Sequence, residues 1–222
     1  MLQPEFTDNF EVGYYKGWEK LLFTGTVYHR RAIEVMSRIT NVMANNVATQ
    51  TWENANRRIS TGLEVINQFQ LSDKVDATLT GNFFHSEIQG GNIGEGFTNS
   101  NFSWTLNLLS NIRIPNIASV QLQGNYRGPI VLPQGEIEPM YGLNIGVKRD
   151  IWDKQATVSF NVSDVFNTRI FRINLDDPNF RQDRMFNRET RIATLTFTYR
   201  FKGFQERRGR DGERQDMEDD PF

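Results

Sequence analysis

The sequence predicts an all-β fold: an antiparallel transmembrane β-barrel segment of about nine meandering strands, part of a larger barrel. Three observations predict it. Apolar and polar residues alternate at period two through one segment after another, so that each strand has a greasy side and a wet side. The connections alternate short and long, as they do between the two rims of an outer-membrane barrel, whereas Greek-key crossings in a sandwich give no such order. Tyrosine and tryptophan stand beside the connections, where a ring half in lipid and half in water is favoured.

Phe10, Val12 and Tyr14 open the first strand, which turns at Gly17 to Lys20. Leu21 to about Ile33 form the second, and the polar stretch 34–56 reads as a long connection. In the third, Ile59, Thr61, Leu63 and Val65 oppose Ser60, Gly62 and Glu64, and a tight turn at Leu71 to Asp73 follows. The fourth sets Val75, Ala77, Leu79 and Phe83 against Asp76, Thr78 and Thr80 before the glycine-rich connection 89–98. The fifth alternates Phe102, Trp104, Leu106 and Leu108 with Ser103, Thr105 and Asn107, and turns at Pro115 and Asn116. Val120, Leu122 and Tyr126 mark the sixth, followed by a long connection 127–139. Tyr141, Leu143, Ile145 and Val147 mark the seventh, which turns at Asp150 to Lys154 into an eighth carrying Ala156, Val158, Phe160 and Val162. After the charged stretch 168–188, the closing strand places Leu195, Phe197, Tyr199 and Phe201 on one face and Thr196, Thr198 and Arg200 on the other.

Composition removes several function classes. A net charge of −2 lacks the basic excess of a nucleic-acid binder, so no nucleic-acid partner is expected. The absence of cysteine rules out disulfides and thiolate metal sites within the chain. A mean hydropathy of −0.55 is compatible with a membrane barrel, because only every second residue meets lipid. Residues 202–222 are too charged and too poor in apolar side chains to pack, and read as a disordered periplasmic tail after a barrel segment 1–201.

Several stretches resemble a known family, the C-terminal barrel half of TonB-dependent receptors in its Bacteroidota-type outer-membrane form. They are the opening 2–13, S-T-G-L-E at 60–64, G-N-Y-R-G-P at 124–129, S-D-V-F-N-T at 163–168, and the closing Y-R-F at 199–201. The resemblance implies a Gram-negative outer-membrane location and a full barrel of about 22 strands around a plug, of which this chain supplies the last nine. It also implies uptake of a nutrient ligand, with the lipid bilayer, the barrel-assembly machinery, a plug domain and TonB as partners. Counting back from a closing strand that descends to the periplasm places Met1 on the outer side, and the opening has no secretory signal pattern, so a fragment of a family member is expected.

Catalytic chemistry is thin, and neither an enzyme nor a cofactor is expected. His29 and His85 are far apart and both lie within strands, and no nucleophile elbow, HExxH or P-loop lysine occurs. Asp176 with Asp177, and Glu218 with Asp219 and Asp220, read as solvated acids without calcium-loop spacing. Glu64 points to the polar face, where pairing with an arginine is its expected role. Ligand contacts are expected from 34–56, 89–98, 127–139 and 168–188, which hold Trp52 and Phe97, with no individual binding residue singled out. Leu195, Phe197, Tyr199 and Phe201 are the candidate assembly signal. The competing fold is a secreted soluble β-sandwich that binds carbohydrate, in which Leu143, Ile145, Val158, Phe160 and Phe197 would face a second sheet.

Overall fold

Alternation is the organising force of the main sheet. In the computed structural model, which describes residues 2–43, 47–93, 97–177 and 180–201, every secondary-structure element is a strand. Nine antiparallel strands form one sheet: β1 (Phe6–Gly17), β2 (Leu21–Val42), β3 (Ala48–Ser72), β4 (Val75–Gln89), β5 (Thr98–Ile114), β6 (Ala118–Arg127), β9 (Met140–Ile151), β10 (Ala156–Val162) and β13 (Ala193–Tyr199). They lie side by side in chain order, and β1 and β13 are both edges, so the sheet is open.

The register carries one apolar face across all nine strands. Direct cross-strand partners point the same way, and the pairings run Val12 to Val27 to Leu63 to Phe83 to Trp104 on one side of the sheet. Towards the other edge they run Leu122 to Ile145 to Val162, and Val147 to Phe160 to Leu195. Among the described residues no second sheet covers this face: Phe160 is 46% and Phe197 56% exposed. That arrangement overturns the sandwich, which needs these residues in a dry core. Tyr14, Trp18 and Trp152 are exposed beside the short turns, while Tyr141 is exposed towards the opposite rim and Tyr126 stacks on Trp104 at 5.6 Å, as lipid-boundary girdles require.

The opposite face is polar and hydrogen-bonded between strands. Arg30 pairs with Glu11 at 3.0 Å and Arg113 with Asp76 at 3.2 Å, while Ser60 meets Ser86 at 3.1 Å and the Tyr28 hydroxyl donates to Asn82 Oδ1 at 3.0 Å. Gly62 is needed beneath that last bond, since a Cβ there would sit 2.7 Å from the Tyr28 oxygen and from the Phe83 carbonyl oxygen. Glu64 lies on this face as expected, but it forms no ion pair among the described residues, where Thr26 and Asn82 are its cross-strand partners.

Three expected loops are corrected. Residues 34–42 and 48–56 continue β2 and β3 as paired strands of 22 and 25 residues, where a bilayer needs about 10. The reason is at Glu34, whose φ of 55° lies in the left-handed region. Pairing skips Glu34 opposite Asn56, and inward burial shifts from even to odd positions: Tyr28 is buried below the kink, and Val35, Ser37 and Ile39 above it. Stretches 127–139 and 168–188 hold β7 (Ile130–Leu132), β8 (Gly135–Ile137), β11 (Phe171–Asp177) and β12 (Phe180–Phe186), a second antiparallel sheet in the order β12-β11-β8-β7. The expected tail 202–222 lies outside the described residues.

Candidate functional site

The small sheet lies over the polar face of the large one, at the rim of the long connections. Asn99 and Asn101 project from the polar side of β5 and donate to the Leu132 and Pro129 carbonyls at 3.3 and 3.2 Å. Val131 of β7 packs with Val35, Ala55 and Ile88 in a buried apolar cluster that joins the β7–β8 hairpin to β2, β3 and β4. Burying these side chains gives the loop sheet a small core of its own against the wall, at about 25 cal/mol per Å² of apolar area removed from water.

A glutamine completes the junction. Among the described residues the outer edge of β2 has no strand partner above Ile33, because β1 starts at Phe6 opposite Ile33. Gln134, in the β7–β8 turn, fills the gap: its Oε1 accepts from the Thr40 amide at 2.8 Å and its Nε2 donates to the Thr40 carbonyl at 2.9 Å. The carboxamide thus imitates a strand's own donor and acceptor. Its Nε2 also donates to Asp177 Oδ2 at 3.0 Å, and its carbonyl accepts from the Asp176 amide at 2.8 Å, tying β11 to the same point. Asp176 and Asp177 therefore belong to the loop framework.

A second anchor holds the base of β11. Asp164, fully buried in the connection after β10, accepts from the Thr168 and Arg169 amides at 3.0 Å each, from the Thr168 hydroxyl at 3.2 Å and from the Thr190 hydroxyl. Burial pushes its carboxyl up, but the hydrogen bonds from Thr190, Thr168 and Arg169 outweigh it and hold the group below the usual aspartate value. The S-D-V-F-N-T stretch is thereby a knot that joins both ends of the 163–192 excursion. Arg169 leaves this knot along the polar wall, donating to Asn125 and Asn144 at 3.0 and 2.9 Å across Gly142, where a Cβ would come within 2.5 Å of Arg169 Nε.

Between the loop sheet and the projecting β2–β3 hairpin lies a cleft of about 470 Å³, lined by Arg38, Trp52, Arg58, Phe171, Arg184 and Phe186 among others. That size falls in the range of small-molecule sites, about 300–1,000 Å³. Arg38 stands over the Trp52 ring at 5.2 Å, and Phe171 pairs with Phe186 across β11 and β12 at 6.0 Å between centroids. A hollow of similar volume, lined by Trp18, Lys20, Gln68 and Arg113, lies at the rim of short turns, where the connections are too short to build walls.

Of the four stretches expected to contact ligand, 34–56, 127–139 and 168–188 meet at this cleft, and Trp52 lines it. Phe97 does not; it is buried, and its carbonyl accepts from the Gly90 amide across the base of the fourth stretch. Positions 94–96 of that stretch lie outside the described residues. Arg38, Arg58 and Arg184 were not legible as site residues, although the alternation of Phe171, Ile173 and Leu175 with Arg172, Asn174 and Asp176 is the signal that would have shown β11. His29 and His85 both fall on the lipid side, where His29 Nδ1 meets Thr61 Oγ1 at 2.8 Å.

The profile of the outer membrane protein beta-barrel family matches residues 1–199, nearly everything described. The chain belongs to that family. Its place is accordingly the Gram-negative outer membrane, with the apolar face of the large sheet towards lipid and the polar face towards the barrel lumen. The fold is similar to that of the ferric yersiniabactin uptake receptor FyuA from Yersinia pestis, with a TM-score of 0.61 at 15% sequence identity. The similarity covers 87% of this chain and 29% of the receptor, so the chain spans less than a third of that protein's length. A search of curated proteins finds no significant match.

Proposed function

We propose that the chain is the closing portion of a TonB-dependent uptake receptor and that the cleft beneath the loop sheet is where a nutrient ligand first docks. The observation that carries this reading is the roofed cleft itself: three separate long connections converge on one aromatic and basic hollow above a polar lumen wall. A protein that only sealed a barrel would have no need of that convergence. Below it the wall presents Asn107, Gln121, Gln123 and Asn161, amide groups suited to seating a plug by hydrogen bonds without fixed charge. The resemblance of the strand motifs to TonB-dependent receptors, and the shared fold with a ferric yersiniabactin receptor, support the same reading.

In this reading the apolar faces of Leu195, Phe197, Tyr199 and Phe201 serve as the assembly signal, residues 1–201 are the barrel portion and 202–222 a periplasmic tail. Trp152 meets Phe197 and Tyr199 edge-on at 6.0 and 6.1 Å, and Tyr199 meets Phe201 at 4.8 Å, an aromatic group at the short-turn rim that the assembly machinery could grip. The segment performs no catalysis. The test is solute depletion from growth medium by cells with the intact gene, without it, with 171–186 replaced by a short glycine-serine bridge, and without TonB. The same solutes should remain undepleted in the last three; normal depletion by cells lacking the gene refutes uptake.

A further inference from the structure

The cleft is lined by three arginines and three aromatic rings, and we infer that it takes an organic anion with a flat apolar body. This rests on the docking reading above and adds the ligand's chemical class. Strand pairing in the loop sheet puts Phe171, Ile173 and Leu175 on the same face as Ile137, Arg184 and Phe186. Glu136, Glu138, Asp176 and Asp183 fall on the other face, where Arg172 answers Glu138 at 3.5 Å. Those four carboxylates share the far face with Arg172 and Arg181, while Arg184 is turned into the cleft; Asp177, on the cleft side at the end of β11, accepts from Gln134 Nε2 and lies outside the lining. The facing hairpin adds Arg38 and Arg58, and among the described residues no aspartate or glutamate lines the hollow.

Three guanidinium groups in a cleft without a carboxylate repel one another unless a counter-charge enters. Arg38 and Arg184 form no ion pair among the described residues. Arg184 is held by neutral partners, donating to Gln182 Oε1 at 2.6 Å and, with the Gln50 carboxamide oxygen turned towards it, to Gln50 at 3.0 Å. Arg38 rests on the Trp52 ring, and Arg58 has Glu5 within electrostatic reach, outside the lining. Guanidinium forks match carboxylate, sulfonate and phosphate oxygens, and Trp52, Phe171 and Phe186 offer rings against which a planar body stacks.

The test uses the full-length barrel in lipid nanodiscs and three probes of one shape: naphthalene-2-sulfonate, 2-naphthalenemethanol and 2-naphthylmethylammonium. Binding is measured by equilibrium dialysis. The sulfonate should bind saturably and at least ~10-fold more tightly than the alcohol, with the ammonium weakest, and rising salt should weaken the sulfonate alone. Arg38→Gln with Arg184→Gln should bring the sulfonate down to the level of the alcohol, and heat-modifiable migration of the variant on gels shows that it is folded. Equal binding of the three probes overturns the anion class and leaves the cleft as a docking place. No saturable binding of any probe overturns both the class and the cleft, whereas a failure of the depletion experiment alone refutes uptake without altering the probe order.

Discussion

Replacing Asp164 tests how a buried carboxylate holds an outer loop sheet in place. Asp164→Ala removes an acceptor from two amides, those of Thr168 and Arg169, and from the hydroxyls of Thr168 and Thr190. The hydroxyls can turn elsewhere, but the two amides cannot, and each orphaned donor costs about 1–3 kcal/mol. Discounting for water that enters the vacated space, the loss is about 3 kcal/mol, or roughly 100-fold in the local opening equilibrium. Asp164→Asn keeps one acceptor oxygen and turns a carboxamide NH2 towards a donor, so its effect should be smaller. Hydrogen exchange on the full-length barrel reads this directly, as faster exchange at Thr168, Arg169 and through β11 with unchanged rates in β4 and β5. Because the folded carboxyl sits below its ordinary value, its stabilisation is fully present above about pH 4 and fades only as pH falls through the lowered value. Unchanged exchange at Thr168 and Arg169 in Asp164→Ala would refute the knot.

Three further outcomes follow from the packing. Gln134→Leu leaves the buried Thr40 amide and carbonyl unpaired at a cost of about 2–4 kcal/mol, read as faster exchange at Thr40 and easier proteolysis of the β7–β8 turn on intact cells. Gly142→Val pushes Arg169 off Asn125 and Asn144, and should destabilise the lumen wall by about 1–3 kcal/mol in a heat-modifiability assay, whereas Gly124→Ala, with nothing nearer than 3.9 Å, should not. Phe201→Ala with Tyr199→Ala should lower the yield of folded barrel in the outer membrane, and wild-type yield would remove the assembly role.

The nine-strand sheet was legible because a barrel wall writes its two faces into alternate residues, and Leu143, Ile145 and Val147 or Val158 and Phe160 need no tertiary information to be placed. The projecting hairpin was not legible because one left-handed residue, Glu34, reverses the alternation that marked β2, and polar side chains on both sides of Asn56 resemble a loop. The loop sheet was hidden by brevity: β7 and β8 have three residues each and are held by Val131, Gln134, Asn99 and the pairing with β11, contacts whose partners lie far off in sequence. Trp52 stood out by type within 34–56, but no single residue there could be chosen as a contact. Arg38, Arg58 and Arg184 become a group only when three strands meet, and Asp164, conspicuous in its motif, shows its purpose only through Thr190.

The central claim is that the apolar face of the nine strands meets lipid and the polar face the lumen. The chain has no cysteine, so once any cysteine elsewhere in the full-length barrel is replaced by serine, single cysteines at Leu143, Asn144, Ile145, Phe160, Asn161 and Phe197 can each carry a nitroxide. Power-saturation spectra in liposomes then report contact with oxygen dissolved in the bilayer. High oxygen contact at 143, 145, 160 and 197 and low contact at 144 and 161 is the result predicted here. Equal values across the series, or the reverse alternation, would contradict it.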